Sequence, residues 1–345
     1  MSLDEFIHAL PKVELHVHLE GSIRPSTLLT LAARNGVELP AHSLEEVRRF
    51  YRFVDFDHFI AVYLTVSGCL RTTADFELIA YEFGADMARQ NIRYAEVTFT
   101  PDTNVANTGL PFADILAGLN AGRARAQADF GVLFRWVLDI VRNVPDSSQR
   151  VVEWAIGARD RGVVALGLGG IEQGFSPALF GKAFARARQA GLHSVPHAGE
   201  TVGPESVWAA LRILGAERLG HGVRSIEDPT LVDHLRQRQI PLEVCPTSNL
   251  CLGVYSSYEE HPLRRLWEEG LYVTVNSDDP PMFNTDLVQE YQHLAHNIGF
   301  TAGELEALSL NALRASFLPP ERKAVLEDEF RAEFQRLRKR YLPSG

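Results

Sequence analysis

Two histidines stand two residues apart near the start of the chain, in the stretch VELHVHLEG that begins at Val13. The apolar residues around them are typical of a buried strand, in which successive side chains point to opposite faces. On that pattern Glu14, His16, His18 and Glu20 share one face. Two imidazoles on one short face can bind a single cation, because histidine is the commonest protein ligand for metals. The alternative is a polar face on an exposed edge strand.

Three later apolar runs also end in titratable residues. The motif HAGE contains His197 and Glu200, GHG contains His221, and NSDDP contains Asp278 and Asp279. Each residue taken singly has a structural alternative, such as a hydrogen-bonded core histidine, a charge at a helix start or an Asx turn. Four strand ends that all finish in such residues favour one functional site.

The residue types indicate a divalent transition metal. Three neutral imidazoles and one carboxylate suit such an ion, with zinc as the preferred choice. No thiolate is present at these positions, which favours a catalytic site over a closed structural one. A catalytic zinc ion lowers the pKa of bound water toward neutrality. Glu200, His221 and Asp279 have no evident ligand duty, and their types suit proton transfer and substrate orientation.

Eight short apolar runs can carry these residues. Amphipathic segments separate most of the runs, which begin at Lys12, Arg93, Phe134, Val163, His193, Glu217, Pro241 and Leu271. Strands that alternate with helices pair in parallel, and eight such units predict an α/β fold of the closed (β/α)8 TIM barrel type. An open doubly wound sheet is the alternative. In such a barrel, chemistry takes place at the carboxyl ends of the strands, where the titratable residues stand.

Two parts of the chain are longer than eight strand–helix units require. The first connection, from about Arg24 to Gln90, is long and predicts several inserted helices that can cover the mouth of the barrel. Further helices are predicted after Leu308. No linker, tandem repeat or low-complexity tract interrupts the chain, so residues 1–345 are predicted to form a single domain.

Composition and charge exclude several classes of protein. The 345 residues are 46% hydrophobic and 23% charged, as in soluble globular proteins. A net charge of −10 argues against nucleic-acid binding, which needs a basic surface. The N-terminus does not resemble a signal peptide, and no run approaches the roughly 20 apolar residues of a membrane span.

Three cysteines without a paired spacing predict free thiols and a cytoplasmic protein. We therefore expect a small-molecule substrate and neither a nucleic-acid nor a membrane partner. A homo-oligomer is compatible with the sequence.

Two further clusters have simpler interpretations. Ser248 and Asn249 follow the seventh strand and are expected to support the backbone of the site rather than to act in catalysis. His261, in the stretch EEHPLRRL, is expected to mark the start of a helix.

Five motifs resemble those of one known family. LHVHLEG, HAGE, LGHGV, CPTSN and VNSDDPPMF, in that order, resemble the adenosine deaminase family of the amidohydrolase barrels. The resemblance extends from about Leu10 to Phe317. It implies a (β/α)8 barrel with one zinc ion per chain. The implied reaction is hydrolytic deamination, in which hydroxide attacks C6 of a 6-aminopurine and ammonia leaves.

The resemblance also implies a role for each matching residue. Glu200 matches the acid that protonates N1 of the purine, and His221 matches the group that orients or deprotonates the zinc-bound water. Asp279 matches the residue that hydrogen-bonds N7, and the backbone of Gly170 matches a contact to N3. The zinc ligands match His16, His18, His197 and Asp278, and the expected substrate contacts are His18, Glu20, Gly170 and Asp279.

One position separates members of the family by substrate. Adenosine deaminases usually have aspartate after HxHL, where it contacts ribose, whereas adenine deaminases have glutamate, as this chain does at Glu20. Adenine deaminases, however, usually add an acidic residue after HAGE and a glycine-rich segment after SDDP, and this chain has Thr201 and Pro281 there. Its motifs are more similar to the bacterial branch that acts on adenosine and on 6-amino-6-deoxyfutalosine, a nucleoside of the menaquinone pathway.

The resemblance therefore implies a nucleoside substrate and leaves adenosine and aminodeoxyfutalosine both open. Free adenine is the alternative substrate. Another hydrolase of the amidohydrolase barrels is a further alternative, but those that use two metals commonly have a bridging lysine, and no lysine stands at a strand end here.

Overall fold

Eight parallel strands form one sheet that closes into a barrel. The computed structural model describes residues 2–342, apart from the side chains of Phe56 and Asp57. In that range the strands follow one another in chain order: β1 Lys12–His18, β2 Ile92–Phe99, β3 Leu133–Val141, β4 Val163–Gly169, β5 His193–Ala198, β6 Leu219–His221, β7 Leu242–Val244 and β8 Val273–Val275. The predicted (β/α)8 barrel is confirmed, and the open sheet is wrong. The predicted domain 1–345 includes Met1 and residues 343–345, which lie outside the described residues.

The barrel closes where β1 meets the segment that follows β8. The backbone N–H of His18 donates to the carbonyl of Asp278 at 2.8 Å, and the N–H of Asp278 donates to the carbonyl of His16 at 3.2 Å. Just below, the side-chain oxygen of Asn276 accepts the N–H groups of Leu15 and His16. The first and last strands are therefore joined at the level of the predicted site.

A bulge in β1 changes the face of one predicted residue. The pairing of β1 with β2 shifts register between Glu14 and Val17. These two residues line the same cavity, whereas His18 lines a different one. The carboxylate of Glu14 accepts the N–H and hydroxyl of Ser277, at 3.0 and 2.6 Å. The prediction that Glu14 shares the histidine face is wrong, because a bulge adds one residue and reverses the alternation.

Helices surround the strands on the outside. The described residues contain α1 Leu3–Ala9, α2 Pro25–Asn35, α3 Leu44–Tyr51, α4 Phe56–Gly68, α5 Thr73–Arg89, α6 Pro101–Thr108, α7 Phe112–Phe130, α8 Ser148–Gly157, α9 Gly181–Gln189, α10 Pro204–Ala209, α11 Pro229–Arg238, α12 Pro246–Cys251, α13 Leu263–Glu268, α14 Pro280–Phe283, α15 Leu287–His296, α16 Ala302–Ala315 and α17 Pro320–Tyr341. The predicted extra helices are thus α2 to α5 after the first strand and α16 and α17 near the end of the chain. No helix within residues 2–342 is long and apolar enough to cross a membrane.

Local signals set the ends of the inserted helices. Asp55 precedes α4, and its carboxylate accepts the N–H of His58 at 2.8 Å. Thr72 and Asp75 form a capping box at the start of α5. Such caps satisfy backbone donors that have no partner inside the helix.

Glycines allow α7 to pack very closely on α5. A Cβ added at Gly118 would lie 2.3 Å from the carbonyl oxygen of Thr73, and one added at Gly122 would lie 2.2 Å from that of Glu77. Both contacts are shorter than any real Cβ contact, so the two helices meet backbone to backbone. This packing holds the inserted helices against the barrel.

We expect Gly122→Ala to lower the free energy of unfolding by about 1–3 kcal/mol, because the added methyl group forces α5 and α7 apart. Gly157→Ala is the matched control, since nothing lies within 4 Å of a Cβ at that helical position. The control is expected to change stability by no more than about 1 kcal/mol. Urea denaturation followed by circular dichroism measures both variants, and equal stabilities would contradict the close packing.

Candidate active site

Three predicted ligands surround the carboxylate of Asp278 at the carboxyl ends of the strands. His16 and His18 end β1, His197 lies in β5, and Asp278 follows β8. The Nε2 atoms of His18 and His197 are 3.3 Å apart. Asp278 Oδ1 lies 3.4 Å from His18 Nε2 and 3.5 Å from His16 Nε2. Four side chains from distant parts of the chain therefore converge on one point.

These separations fit a metal ion. Four ligands in a tetrahedron with bonds of about 2.0–2.1 Å place neighbouring ligand atoms about 3.3–3.4 Å apart. The buried Nε2 of His16 also has no hydrogen-bond partner among the described residues. A buried polar atom without a partner is costly, and coordination to a cation satisfies it. The cluster can therefore hold a divalent metal.

Geometry alone permits more than one set of ligands. The ligand atoms of His16, His197, His221 and Asp278 lie within 4.8 Å of one another, and so do those of His18, Asp278 and Asp279. His221 Nε2 is 3.8 Å from Asp278 Oδ2 and 3.5 Å from Glu200 Oε1. His221 is thus slightly farther from the shared aspartate than His16 and His18 are.

A chain of buried charges lies behind His16. Glu243 Oε2 is 3.0 Å from His16 Nδ1, and Glu243 Oε1 accepts Nε of Arg218 at 2.6 Å. Arg218 also donates to Glu96 at 2.5 Å, and its own side chain is only 1% exposed. Burial lowers the pKa of His16, but the carboxylates of Asp278 and Glu243 on either side of the ring raise it overall to about 10. The carboxylates on both sides of the His16 ring thus favour positive charge at the cluster. The hydrogen bond between Glu243 and Nδ1 also orients the ring so that Nε2 faces Asp278.

Two residues of the cluster have an unusual backbone conformation. His221 has a φ of 59° and Asp278 a φ of 63°, both in the left-handed region. This conformation is uncommon for residues other than glycine and persists only where the surroundings enforce it. One source of that constraint is Ser248, whose hydroxyl donates to Asp278 Oδ2 at 2.6 Å. Strand β6 and the segment after β8 thus turn sharply to aim their side chains inward.

The loop that carries Glu200 is fixed by another carboxylate. The backbone N–H groups of residues 199 to 202 all donate to the buried side chain of Glu172, at 2.7–3.2 Å. Burial together with the carboxylates of Asp278 and Glu172 raises the pKa of Glu200 to about 8. Glu200 is therefore largely protonated at neutral pH and able to donate a proton.

A cavity of about 300 Å³ lies beside the cluster. On one side it is lined by Phe59, Tyr63 and other residues of α4. Phe59 stacks on Phe283, with ring centroids 5.3 Å apart. The expectation that the inserted helices cover the mouth of the barrel is confirmed. The barrel contributes the predicted residues His18, Gly170, His197, Glu200, His221, Asp278 and Asp279 to the lining.

Two glycines allow the cavity its shape. Gly170, which follows β4, has a φ of 83° and presents its backbone to the cavity. A Cβ at Gly21 would lie 1.7 Å from Asp279 Oδ1, so only glycine leaves room for that carboxyl group. Burial and the neighbouring Asp278 carboxylate raise the pKa of Asp279 well above its usual range.

Glu20 is not among the described residues that line this cavity. It begins a short 3-10 turn after β1, and its Oε1 accepts the N–H of Thr100 at 3.0 Å and the amide of Asn104 at 2.6 Å. Thr100 itself lines the cavity. The expected contact between Glu20 and a substrate therefore stays a prediction.

Sequence reasoning missed Asp139 of β3. Asp139 lines the cavity, is only 3% exposed, and its Oδ1 has no hydrogen-bond partner in the described structure. Burial and the Glu20 carboxylate raise its pKa to about 7. The available signal was the carboxylate in the second half of the apolar run FRWVLDIV, since a strand buried on both faces rarely contains a charged residue.

The chain is similar to several known deaminases. A family model described as Adenosine deaminase matches residues 11–333. The aminodeoxyfutalosine deaminase of Streptomyces coelicolor is 44% identical over 330 residues, which cover 95% of this chain and 85% of that protein. The adenine deaminase of Rhodospirillum rubrum is 40% identical over 322 residues, or 93% of this chain and 96% of that protein. A crystal structure of an amidohydrolase from Burkholderia ambifaria with bound Zn has a TM-score of 0.91 and 31% identity, and the match covers 97% of this chain and 93% of the other.

Replacing Arg218 tests the buried charge chain. We expect Arg218→Met to lower the free energy of unfolding by about 3–5 kcal/mol, because Glu96 and Glu243 lose their shared partner. Arg331→Met is the control, since Arg331 is 52% exposed and pairs with Glu327 on the surface; it is expected to cost less than about 1 kcal/mol. Denaturant titrations in the presence of a chelator compare the two variants. A similar small loss of stability in both would contradict the role of Arg218 as the shared partner of Glu96 and Glu243.

Proposed function

The chain belongs to the adenosine deaminase family and is a hydrolytic aminohydrolase, and on that premise we propose that it deaminates a 6-aminopurine nucleoside with one zinc ion. The observation that carries this proposal is the position of three proton-bearing groups around one cavity. Glu200, His221 and Asp279 line the cavity beside the imidazoles and Asp278. Support for a nucleoside comes from the relative named aminodeoxyfutalosine deaminase, at 44% identity.

The proposed zinc ligands are His16, His18, His197 and Asp278. Burial lowers the pKa of His18 to about 4, which keeps its imidazole neutral, as coordination requires. The carboxylates of Asp278 and Glu243 beside His16 favour positive charge there, and a bound dication would supply it in place of the proton that His16 otherwise holds. When bound, the metal supplies a water molecule that is deprotonated near neutral pH.

The remaining groups act on the purine. Glu200 holds a proton near pH 7 and delivers it to N1, which makes C6 a better electrophile. N7 has a lone pair and no hydrogen, so it needs a donor, and the raised pKa of Asp279 keeps that carboxyl protonated for this role. The backbone N–H of Gly170 donates to N3.

The order of these contacts around the barrel orients the sugar. Asp279 follows β8, Glu200 follows β5 and Gly170 follows β4, which matches the order N7, C6, N1 and N3 around the purine. The glycosidic nitrogen N9 then lies toward β2 and β3. Thr100 and Asp139 line the cavity there, and both accept hydrogen bonds of the kind that ribose hydroxyls donate. This arrangement favours a nucleoside over the free base.

Free adenine is the second candidate substrate. Glu20 has the residue type found at this position in adenine deaminases. The relative named adenine deaminase is 40% identical over 93% of this chain. An N9–H group of adenine is also a donor, which a carboxylate on the β2–β3 side accepts.

The three cysteines are free thiols in the described structure, as expected from their spacing. Free thiols fit a reducing compartment, and we place the enzyme in the cytoplasm.

Ammonia release from zinc-loaded protein tests the reaction. We expect kcat/KM to be at least about tenfold higher for aminodeoxyfutalosine or adenosine than for adenine, because the β2–β3 side binds the sugar. Adenine as the best substrate would favour the second candidate, and no ammonia from any of the three would reject the reaction.

Glu200→Gln is expected to lower kcat by about 100-fold or more with its zinc retained. Its control is Glu205→Gln, an exposed acid in the first turn of α10, with expected activity near wild type.

Zinc content tests the ligand assignment. His18→Ala is expected to weaken zinc binding by more than about 100-fold, since a direct ligand contributes more than an outer partner does. His221→Ala is expected to retain zinc, which distinguishes the two overlapping ligand sets. His234→Ala, on the outer helix α11, controls for the loss of a histidine. Metal analysis after dialysis against a chelator measures all three, and loss of zinc from the His221 variant instead would overturn the assignment.

A further inference from the structure

A row of three hydrogen bonds connects helix α13 to His221. The backbone N–H of Leu263 donates to Nδ1 of His261 at 3.2 Å. His261 Nε2 lies 3.1 Å from Oδ1 of Asn249, and Nδ2 of Asn249 lies 3.3 Å from Nδ1 of His221. The first contact fits the expected position of His261 at a helix start, and the other two belong to none of the roles assigned above.

The backbone N–H at one end fixes the direction of the whole row. It can only donate, so His261 Nδ1 accepts and the hydrogen of that ring is on Nε2. His261 Nε2–H then donates to the amide oxygen of Asn249. The amide nitrogen of Asn249 in turn donates to His221, whose Nδ1 must be the bare nitrogen. The hydrogen of His221 is therefore on Nε2.

Burial keeps this order intact. His261 is 3% exposed, Asn249 is fully buried and His221 is 1% exposed, so water does not compete for these groups. Because Nδ1 of each ring accepts a hydrogen bond, each ring carries its single hydrogen on Nε2 and is neutral.

The free end of the row points into the site. His221 Nε2 lies 3.5 Å from Glu200 Oε1 and 3.8 Å from Asp278 Oδ2. A protonated Nε2 beside two carboxyl groups is a hydrogen-bond donor. The same atom with a lone pair would be a proton acceptor or a metal ligand.

We propose that Asn249 and His261 are positioning residues that hold His221 as its Nε2–H tautomer. His221 then orients the attacking water by donating a hydrogen bond, and neither takes a proton at Nε2 nor binds the metal through it. This role in catalysis depends on the proposed deamination, whereas the tautomer itself does not.

Nitrogen NMR of the zinc-loaded protein with 15N-labelled histidine measures the tautomer directly. Protonated and bare ring nitrogens have distinct 15N shifts, and a His221→Asn sample assigns the signals. We expect a bare Nδ1 and a protonated Nε2 for His221 in the wild type. A protonated Nδ1 would overturn the proposal, whatever the enzymatic activity is.

Asn249→Asp tests the consequence. A carboxylate only accepts, so it is expected to bind His261 Nε2–H and His221 Nδ1–H and to move the hydrogen of His221 to Nδ1. We expect kcat to fall by about 100-fold or more, since a histidine in the wrong tautomer is ineffective. Zinc content and the Kd of inosine should change by less than about threefold. A changed tautomer with unchanged kcat would reject the catalytic role.

His261→Gln is the conservative variant. The glutamine amide still donates to Asn249, so the tautomer of His221 is expected to persist and kcat to stay within about tenfold of the wild type. A loss of kcat in this variant as large as in Asn249→Asp, with the Nε2–H tautomer retained, would contradict the proposal. Absence of ammonia release from the wild type would reject the proposed function, but the NMR result would still decide the tautomer.

Discussion

The carboxylate of Glu243 connects the interior of the barrel to its reactive end. One oxygen accepts from Arg218 and the other contacts His16 Nδ1. In the low-dielectric interior, each of these charged groups is stable only next to an oppositely charged group, since an isolated buried charge costs several kcal/mol. Because Glu243 fixes Nδ1 of His16, the opposite nitrogen has one direction left, toward Asp278. The orientation of His16, a proposed metal ligand, therefore depends on charges one layer deeper in the barrel.

Much of this arrangement could be predicted from the sequence. Apolar runs with titratable last residues mark both the strands and the end at which they meet, so His16, His197, His221 and Asp278 could be grouped without coordinates. The face of Glu14 could not, because the bulge that separates it from His16 and His18 leaves no mark in the alternation of VELHVH. Register inside a strand is set by its neighbours and not by its own pattern.

Asn249 and His261 show a different limit. Sequence reasoning assigned them to backbone support and to a helix start, since each lies apart from the metal motif. The role we propose for them rests on a row of contacts between side chains far apart in the sequence from His221, and only coordinates reveal which group donates in each contact. The left-handed backbone of His221 and Asp278 is equally invisible in a sequence, because it is enforced by packing. The sequence shows Asp139 as a charged residue in an apolar run, but it does not show that this side chain lines the cavity.

The backbone pairing between β1 and the segment after β8 has a consequence for the stage of synthesis at which the cluster can form. The backbone of Asp278 pairs with His16 and His18 across more than 250 residues of chain, and its side chain lies at the centre of the cluster. Until Asp278 has emerged from the ribosome, a nascent chain has neither this backbone pairing nor the carboxylate at the centre of the cluster. Contacts between segments so far apart in sequence form slowly during folding. The proposed site is complete only when the segment after β8 pairs with β1, so incomplete translation products are expected to lack activity.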